Sequence, residues 1–264
     1  SPEISLADPS HVRPVWQQPC LGLPALSQWQ DKPSWAARLA ALYALSLGRP
    51  RVLVVSLESL LLRYMPVNFF HSRTLEIGKG SDYAPELLLE QAVEWGYERV
   101  TMVTRPGEMA RRGDILDLYP AGYARPVRLE FFGDTLEEMR FFDAETQRSL
   151  QGCDELTLLP VSPLAFDARE AEATRKRFDR MFAEGRIGEN DCYSFKKTLD
   201  AGGAGLLPGC ALEAPSLFED WLPQDCLWLL PGEADSAEAL RDGRLALKER
   251  LEAEDCPLPQ PASL

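Results

Sequence analysis

This chain of 264 residues has few histidines and no closely spaced pair of cysteines. Its histidines are His11 and His71, and its six cysteines include no C-x-x-C pair and no cluster with zinc-like spacing. A metal site is therefore not expected. Scattered cysteines in a chain of this length are typical of a reducing compartment, so we expect them to be small buried apolar side chains rather than disulfides.

Long apolar runs and an excess of positive charge are also missing. No run approaches the roughly 20 apolar residues of a membrane-spanning helix, and the first residues lack the basic start and apolar body of a signal peptide. We therefore expect a cytoplasmic protein without membrane contact.

Lys and Arg number 28 against 41 Asp and Glu, so the net charge of −13 repels phosphate backbones. A DNA-binding module is an alternative that would bind duplex weakly.

Motifs for nucleotide or acyl chemistry are absent as well. A phosphate-binding loop needs G-x-x-x-x-G-K-[ST], but Lys79 has no glycine at the upstream spacing and Ser81 stands one place late. No G-x-S-x-G elbow surrounds Ser56 or Ser59. We expect no catalytic residues, no cofactor and no enzyme activity in this chain. The alternative is a nucleotide-dependent helicase fragment with residual ATP or DNA binding, which a nucleotide thermal-shift test would detect.

Segments with helix and strand patterns alternate along the first third of the chain. Residues 1–33 are interrupted by prolines and are predicted to be irregular. A helix is predicted over 34–47, a strand buried on both faces over 51–56 and a short helix over 57–64. The chain begins with Ser1 rather than Met and ends in a proline-rich stretch, so we expect a piece of a longer protein.

The middle and last thirds differ in pattern. After a helix at 85–95, alternation with frequent turn residues predicts an antiparallel meander over 99–104, 108–111, 114–119, 126–132, 136–142 and 155–159. Helical periodicity then predicts helices over 166–184, 191–199 and 235–252, a helical turn at 217–222 and a buried strand at 226–230. The fold class is α/β with an inserted α+β domain, and the predicted boundaries are 1–77, 78–160 and 161–264.

The most informative strand is predicted over 126–132. Alternation places Val127, Leu129 and Phe131 towards the core and turns Arg128 and Phe132 to the other face. One interpretation is that Phe132 tucks under a loop, since single apolar residues often do so. The other is that Arg128 and Phe132 form an aromatic and arginine pair typical of protein interfaces, widened by 111–112. Residues 76–160 carry 17 acidic and 9 basic residues, which favours a protein partner over DNA.

Three strings resemble the amino-terminal region of bacterial transcription-repair coupling factors, the Mfd family. They are R-G-D-I-L-D-L-Y-P over 112–120, V-R-L-E-F-F-G-D over 127–134 and D-x-x-T-Q-R-S-L over 143–150. The first two are also similar to the excision-repair protein UvrB, whereas the third, together with the missing phosphate loop, favours the coupling factors. At Met109 the family usually has an aromatic residue.

The resemblance implies a function and a site. The flanking segments would form a degenerate helicase-like parallel-sheet domain, and the insert would dock UvrA and recruit it to stalled RNA polymerase. The implied UvrA-binding residues are Arg112, Arg128 and Phe132. In the full-length family, the carboxy-terminal domain masks this face, and other domains bind RNA polymerase and DNA. We expect Phe132→Ala or Arg128→Glu to abolish UvrA pull-down with an almost unchanged melting temperature.

Overall fold

The computed structural model describes residues 14–23, 31–50, 52–203, 206–227, 229, 241–243, 245–246 and 249. These residues form a mixed α/β protein with helices and largely antiparallel sheets. The strands are β1 Cys20–Gly22, β2 Val52–Val54, β3 Leu75–Gly78, β4 Glu98–Arg99, β5 Glu108–Arg112, β6 Ile115–Leu118, β7 Val127–Phe132, β8 Thr135–Phe142, β9 Ser149–Gly152 and β10 Glu155–Leu158. The helices are α1 Lys32–Ser46, α2 Leu57–Leu61, α3 Pro85–Glu94, α4 Ala168–Ala183, α5 Glu189–Asp200 and α6 Pro208–Ala211.

The amino-terminal part is built on helix α1 and the parallel pair β1–β2. Helix α1 begins at Lys32, two residues before its predicted start, because the Asp31 side chain accepts hydrogen bonds from the Ser34 amide at 3.0 Å and hydroxyl at 2.6 Å, which caps the first turn. The helix is buried on most of its surface because Trp35, Leu39 and Leu42 lie in the main core.

Two predictions for this region were wrong. The described part of 1–33 is not all irregular, since Cys20–Gly22 pairs with Val52–Val54. The strand at 52–54 forms, but Val52 and Val54 are exposed rather than buried. An apolar run predicts a strand but does not show how many strands will flank it. In a two-stranded pair, the side chains are less covered than in the middle of a wide sheet.

The middle of the chain forms a six-stranded sheet in the order β4-β5-β6-β7-β8-β9. All neighbouring strands are antiparallel apart from the short β4, which runs parallel to β5. The predicted meander is therefore confirmed over β5–β8. Strands β3 and β9 lack a clear alternation and were not predicted, and β10 pairs with β3 instead of continuing the sheet.

One face of the six-stranded sheet, called here the inner face, packs into the main core. Helix α3 was predicted at almost its observed bounds, and its Leu88 and Ala92 share that core with Met109, Leu129 and other inner-face residues. The same core includes Trp16 and helix α1. The sheet is thereby joined to the amino-terminal part.

Helices α4 and α5 form a pair with a core of its own. Phe178 of α4 lies 5.0 Å from Phe195 of α5, measured between ring centroids, and both rings are buried. Asp167 and Glu170 form a capping box at the start of α4. Both helices were predicted from their amphipathic pattern.

Several expectations about the carboxy-terminal part and the cysteines require correction. No strand forms at the described positions of 226–230, where Leu227 and Leu229 are exposed. The described residues of 235–252 are helical, and the rest of that predicted helix lies outside them. Cys20 and Cys226 are exposed, whereas burial raises the pKa of Cys210 to about 12. Among the described helices, none has the length and apolar character needed to cross a bilayer.

Candidate functional site

Strand β7 presents Phe132 on the face of the sheet opposite the core, called here the outer face. Burial alternates along the strand as predicted, with Val127, Leu129 and Phe131 buried. Phe132 is 76% exposed, so its ring is not covered by a loop within the part of the chain that is described. The strand then turns into β8 through a two-residue loop whose Gly133 has φ +62°, a conformation that glycine adopts without steric cost.

The hairpin that carries Phe132 is held by the loop that follows β3. Four hydrogen bonds join the two segments: Gly80 N to Leu136 O at 2.8 Å, Leu136 N to Ser81 O at 3.0 Å, Tyr83 N to Asp134 O at 2.7 Å and Thr135 Oγ1 to Asp82 Oδ1 at 2.7 Å. The exposed ring is therefore mounted on a fixed turn. A fixed turn lowers the conformational entropy that docking would cost.

Arg128 lies on the outer face, where its guanidinium contacts Asp117 and the ring of Phe142. Its Nε and Nη2 donate to the two carboxylate oxygens of Asp117 at 2.7 and 2.9 Å, and its guanidinium lies 4.8 Å from the centroid of the Phe142 ring. The hydrogen bonds to Asp117 raise the pKa of Arg128. The side chains of Arg128 and Asp117 are 18% and 3% exposed, so this is a largely desolvated bidentate pair.

The buried pair corrects the expectation for Arg128→Glu. A second carboxylate at this position would face Asp117 without a counter-ion, which is strongly destabilising in a desolvated site. The melting temperature would therefore fall, and lost binding by this variant could not be assigned to a lost contact.

Arg112 is exposed at the end of β5, and its Nη2 donates to the carbonyl oxygen of Thr101 at 2.9 Å. It lies on the outer face, because it pairs with Ile115, which in turn pairs with Glu130 of β7. Two inter-strand spacings thus separate Arg112 from β7, about 10 Å. Arg111 points to the inner face and forms an ion pair with Glu86 at 2.7 Å, so it does not widen the outer surface.

A segment over residues 100–105 covers part of the outer face, and Glu108 holds it. The Glu108 carboxylate accepts hydrogen bonds from the Thr104 amide at 2.7 Å, the Arg105 amide at 2.9 Å and the side chains of both residues. Burial by itself would raise the pKa of Glu108, but these hydrogen bonds outweigh it and lower the pKa. The result is a covering segment fixed to the sheet by a charged group.

Gln147 also binds the covering segment over residues 100–105. Its Nε2 donates to the carbonyl oxygens of Val103 at 3.1 Å and Ala144 at 2.7 Å, and its backbone has φ +59°. The role of Glu108 was not predicted because a strand was expected over 99–104, although its partners are only three and four residues away. The role of Gln147 was not predicted because Val103 lies 44 residues earlier in the chain. The D-x-x-T-Q-R-S-L string was the available signal, because it combines turn-forming Asp143 and Thr146 with Gln147.

Arg140 of β8 was also missed. It pairs directly with Arg128, so both lie on the outer face, and it forms an ion pair with Glu138. The structure thus brings together Phe132, Arg128 and Arg140 on neighbouring strands and places Arg112 at the rim. We call these four residues, with Ile115, Glu130 and Glu138, the docking surface, as the candidate site for a protein partner.

The described residues outside this surface provide little for chemistry. No group of three metal-ligating side chains occurs among them. A cleft of about 310 Å³ is lined by His71 and Arg73, but Arg73 is occupied by Glu170 and the carbonyl oxygen of Ala165. A second cleft, of about 440 Å³, lies between α3 and the β4–β5 edge and is crossed by the ion pair of Arg111 and Glu86.

Comparison with known proteins gives a family match over the middle of the chain. Residues 75–163 match the family described as the UvrB interaction domain. This range contains β3 to β10 and every residue of the docking surface.

Relatives match a larger part of the chain. Transcription-repair-coupling factor of Escherichia coli K12 is 33% identical over 214 residues, which cover 80% of this chain and 19% of the relative. The protein of the same name from Haemophilus influenzae is 33% identical over 196 residues, covering 74% of this chain and 17% of the relative. The Bacillus subtilis protein is 31% identical over 144 residues, covering 54% and 12%. The chain therefore spans a fifth or less of the length of these relatives.

Proposed function

Since these matches confirm the resemblance to the amino-terminal region of transcription-repair coupling factors, we propose that this chain is a non-catalytic, UvrB-like region that recruits UvrA to stalled RNA polymerase. The observation that supports the proposal is the ring of Phe132, which is 76% exposed. It lies on a hydrogen-bonded hairpin within the range that matches the UvrB interaction domain. Large exposed aromatic side chains beside arginines are typical of the residues that dominate protein interfaces.

The proposed roles of the three site residues follow from their surroundings. Phe132 is the apolar anchor that loses water when UvrA binds. Arg112, exposed at the rim, donates charge-assisted hydrogen bonds to acceptors on UvrA. Arg128 uses two of its five N–H groups on Asp117, so three remain for acceptors on UvrA, about 13 Å along β7 from the anchor.

We further propose an architecture for the region. The insert at 78–160 interrupts a degenerate helicase-like α/β domain formed by 1–77 and 161–264, and the parallel pair β1–β2 beside α1 supports this assignment. In a longer protein, other domains would bind RNA polymerase and DNA, and a carboxy-terminal domain would mask the docking surface in the resting state.

The experiment that tests the function measures UvrA binding to this chain by surface plasmon resonance. Phe132→Ala should weaken binding about thirtyfold, the result of losing about 2 kcal/mol at a central anchor. Its melting temperature should stay close to that of the parent chain, because the ring is exposed. Phe182→Ala is the matched control, since Phe182 is a half-exposed ring on α4, away from the docking surface. Equal binding by the parent chain and Phe132→Ala would contradict the site.

A further inference from the structure

A row of charged side chains crosses three strands of the docking surface. Asp117 on β6 pairs with Arg128 on β7, and Arg128 pairs with Arg140 on β8. Directly opposed residues in an antiparallel sheet have Cβ atoms about 5 Å apart, and like charges at that distance repel each other. Each arginine has its own carboxylate partner, Asp117 for Arg128 and Glu138 for Arg140.

The two ion pairs differ in their access to solvent. The side chains of Arg128 and Asp117 are 18% and 3% exposed, whereas those of Arg140 and Glu138 are 42% and 39% exposed. Exposed ion pairs contribute about 0–1 kcal/mol, so the partners of such a pair exchange readily. Arg128 is thus fixed, and Arg140 is available for exchange.

The position next to Arg140 on β9 is occupied by Gly152, which has no side chain. The guanidinium of Arg140 is consequently not covered from that neighbouring strand. On its other side stands Arg128, whose charge is already paired with the two carboxylate oxygens of Asp117. A carboxylate that approached here would meet the guanidinium of Arg140, with Glu138 as the competing acceptor.

We propose that Arg140 is a further docking residue, which leaves Glu138 and binds a carboxylate of UvrA on the same face of the sheet as the Phe132 anchor; this inference rests on the proposed function. Phe132 and Arg128 are four residues apart on β7, about 13 Å along the strand. The acidic group on the partner would therefore lie about that far from the pocket that receives the ring.

The first test compares Arg140→Gln with Arg111→Gln in the same binding assay. Both arginines form one solvent-accessible ion pair on the same sheet, but Arg111 lies on the opposite face. We expect Arg140→Gln to weaken UvrA binding about tenfold and Arg111→Gln to leave it unchanged. Unchanged binding by Arg140→Gln would overturn the inference.

Phe132→Ala, measured in parallel, separates this inference from the proposed function. If Phe132→Ala loses binding and Arg140→Gln retains it, Arg140 is not a docking residue and the proposed function stands. If the parent chain itself does not bind UvrA, the proposed function fails, and the inference fails with it.

The second test addresses the exchange of partners. Glu138→Gln should tighten UvrA binding severalfold, because the competing carboxylate is removed, and the gain should vanish in the Arg140→Gln background. Glu145→Gln removes a negative charge from an exposed position outside the docking surface and should leave UvrA binding unchanged, so it is the control for a general electrostatic effect. A gain from Glu138→Gln that persists without Arg140 would overturn the exchange.

Discussion

Arg128 and Arg140 show how strongly one residue's surroundings decide what it can contribute. The two guanidinium groups lie on paired positions of one sheet, yet one faces a buried carboxylate and the other an exposed one. A buried charge without its partner is costly, whereas an exposed charge is hydrated by water. The two residues therefore differ in how their removal affects stability.

We expect Arg128→Ala to lower the free energy of unfolding by about 3–5 kcal/mol, because Asp117 would remain buried without a counter-ion. Arg140→Ala should change it by no more than about 1 kcal/mol. Urea unfolding followed by circular dichroism measures both. Similar losses in the two variants would show that the Asp117 carboxylate is not desolvated.

Glu108 gives a prediction about pH. Its pKa is lowered in the folded chain by the hydrogen bonds from Thr104 and Arg105, relative to about 4.3 in the unfolded chain. Fewer protons are then bound in the folded state, so this contribution to stability is complete above about pH 4.3 and is lost as the pH falls through the folded pKa. Urea midpoints between about pH 2.5 and 6 should rise less steeply with pH for Glu108→Gln. An identical slope would contradict the role of Glu108.

At this scale the sequence predicts the outward position of Phe132 and Arg128 from alternation alone, because a strand has a period of two. The partner of Arg128 is not predictable in that way. Asp117 is eleven residues earlier, and its contact depends on the register between β6 and β7. The same limit applies to Arg140, whose place opposite Arg128 follows from the register of β7 and β8.

Among the elements, the hairpin of β7 and β8 depends on the loop at 79–83. Asp82 accepts from Thr135, and backbone bonds from Gly80 and Tyr83 complete the attachment. The Phe131 amide also donates to the carbonyl oxygen of Asp114 at 2.9 Å, so the hairpin is held from the β6 side as well. Together these bonds keep the hairpin that carries Phe132 in one place.

Removal of one bond in this attachment should be visible by amide hydrogen exchange. We expect Asp82→Ala to accelerate exchange about fivefold at the amides of Leu136 and Tyr83, since a lost hydrogen bond costs about 1 kcal/mol. The amide of Leu129, in the middle of β7, should exchange at its original rate. Uniform acceleration at all three amides would indicate a global loss of stability instead.

Elements with a strong pattern were predicted well, and short ones were not. Helix α1 has an N-cap at Asp31, α3 begins with Pro85 and α4 has a capping box, and α3, α4 and α5 each have an apolar face; all of these signals are local in sequence. Strand β1 has three residues between prolines, and its formation depends on pairing with β2. Such pairing is set by tertiary contacts rather than by local preference.

For the molecule as a whole, the main core extends from Trp16 to Trp221 and includes the inner face of the six-stranded sheet. Gly122, between β6 and β7, lies at a tight point of this core. A Cβ atom there would stand 2.5 Å from the Trp16 ring and 2.9 Å from the Cβ of Ala40, and the residue has φ +79°. The sheet and helix α1 therefore meet where only glycine can be accommodated.

We expect Gly122→Ala to lower the free energy of unfolding by about 2 kcal/mol or more, from steric overlap added to backbone strain. Gly48→Ala is the control, since Gly48 has φ +63° and no atom near the position of a Cβ. Gly48→Ala should lower the free energy of unfolding by about 1 kcal/mol, the cost of the backbone conformation alone. Thermal unfolding of the two variants makes the comparison, and equal losses would mean that Trp16 moves aside.

The separate core of α4 and α5 has a different consequence for the tolerance of the chain to change. Phe178, Phe195 and their neighbours form a cluster distinct from the one beneath the six-stranded sheet. Repacking of these two helices would leave the strands that present Phe132 in position. Substitutions in helices α4 and α5 should therefore leave the docking surface unchanged. This part of the chain is accordingly a suitable place to attach a fluorophore or an affinity tag.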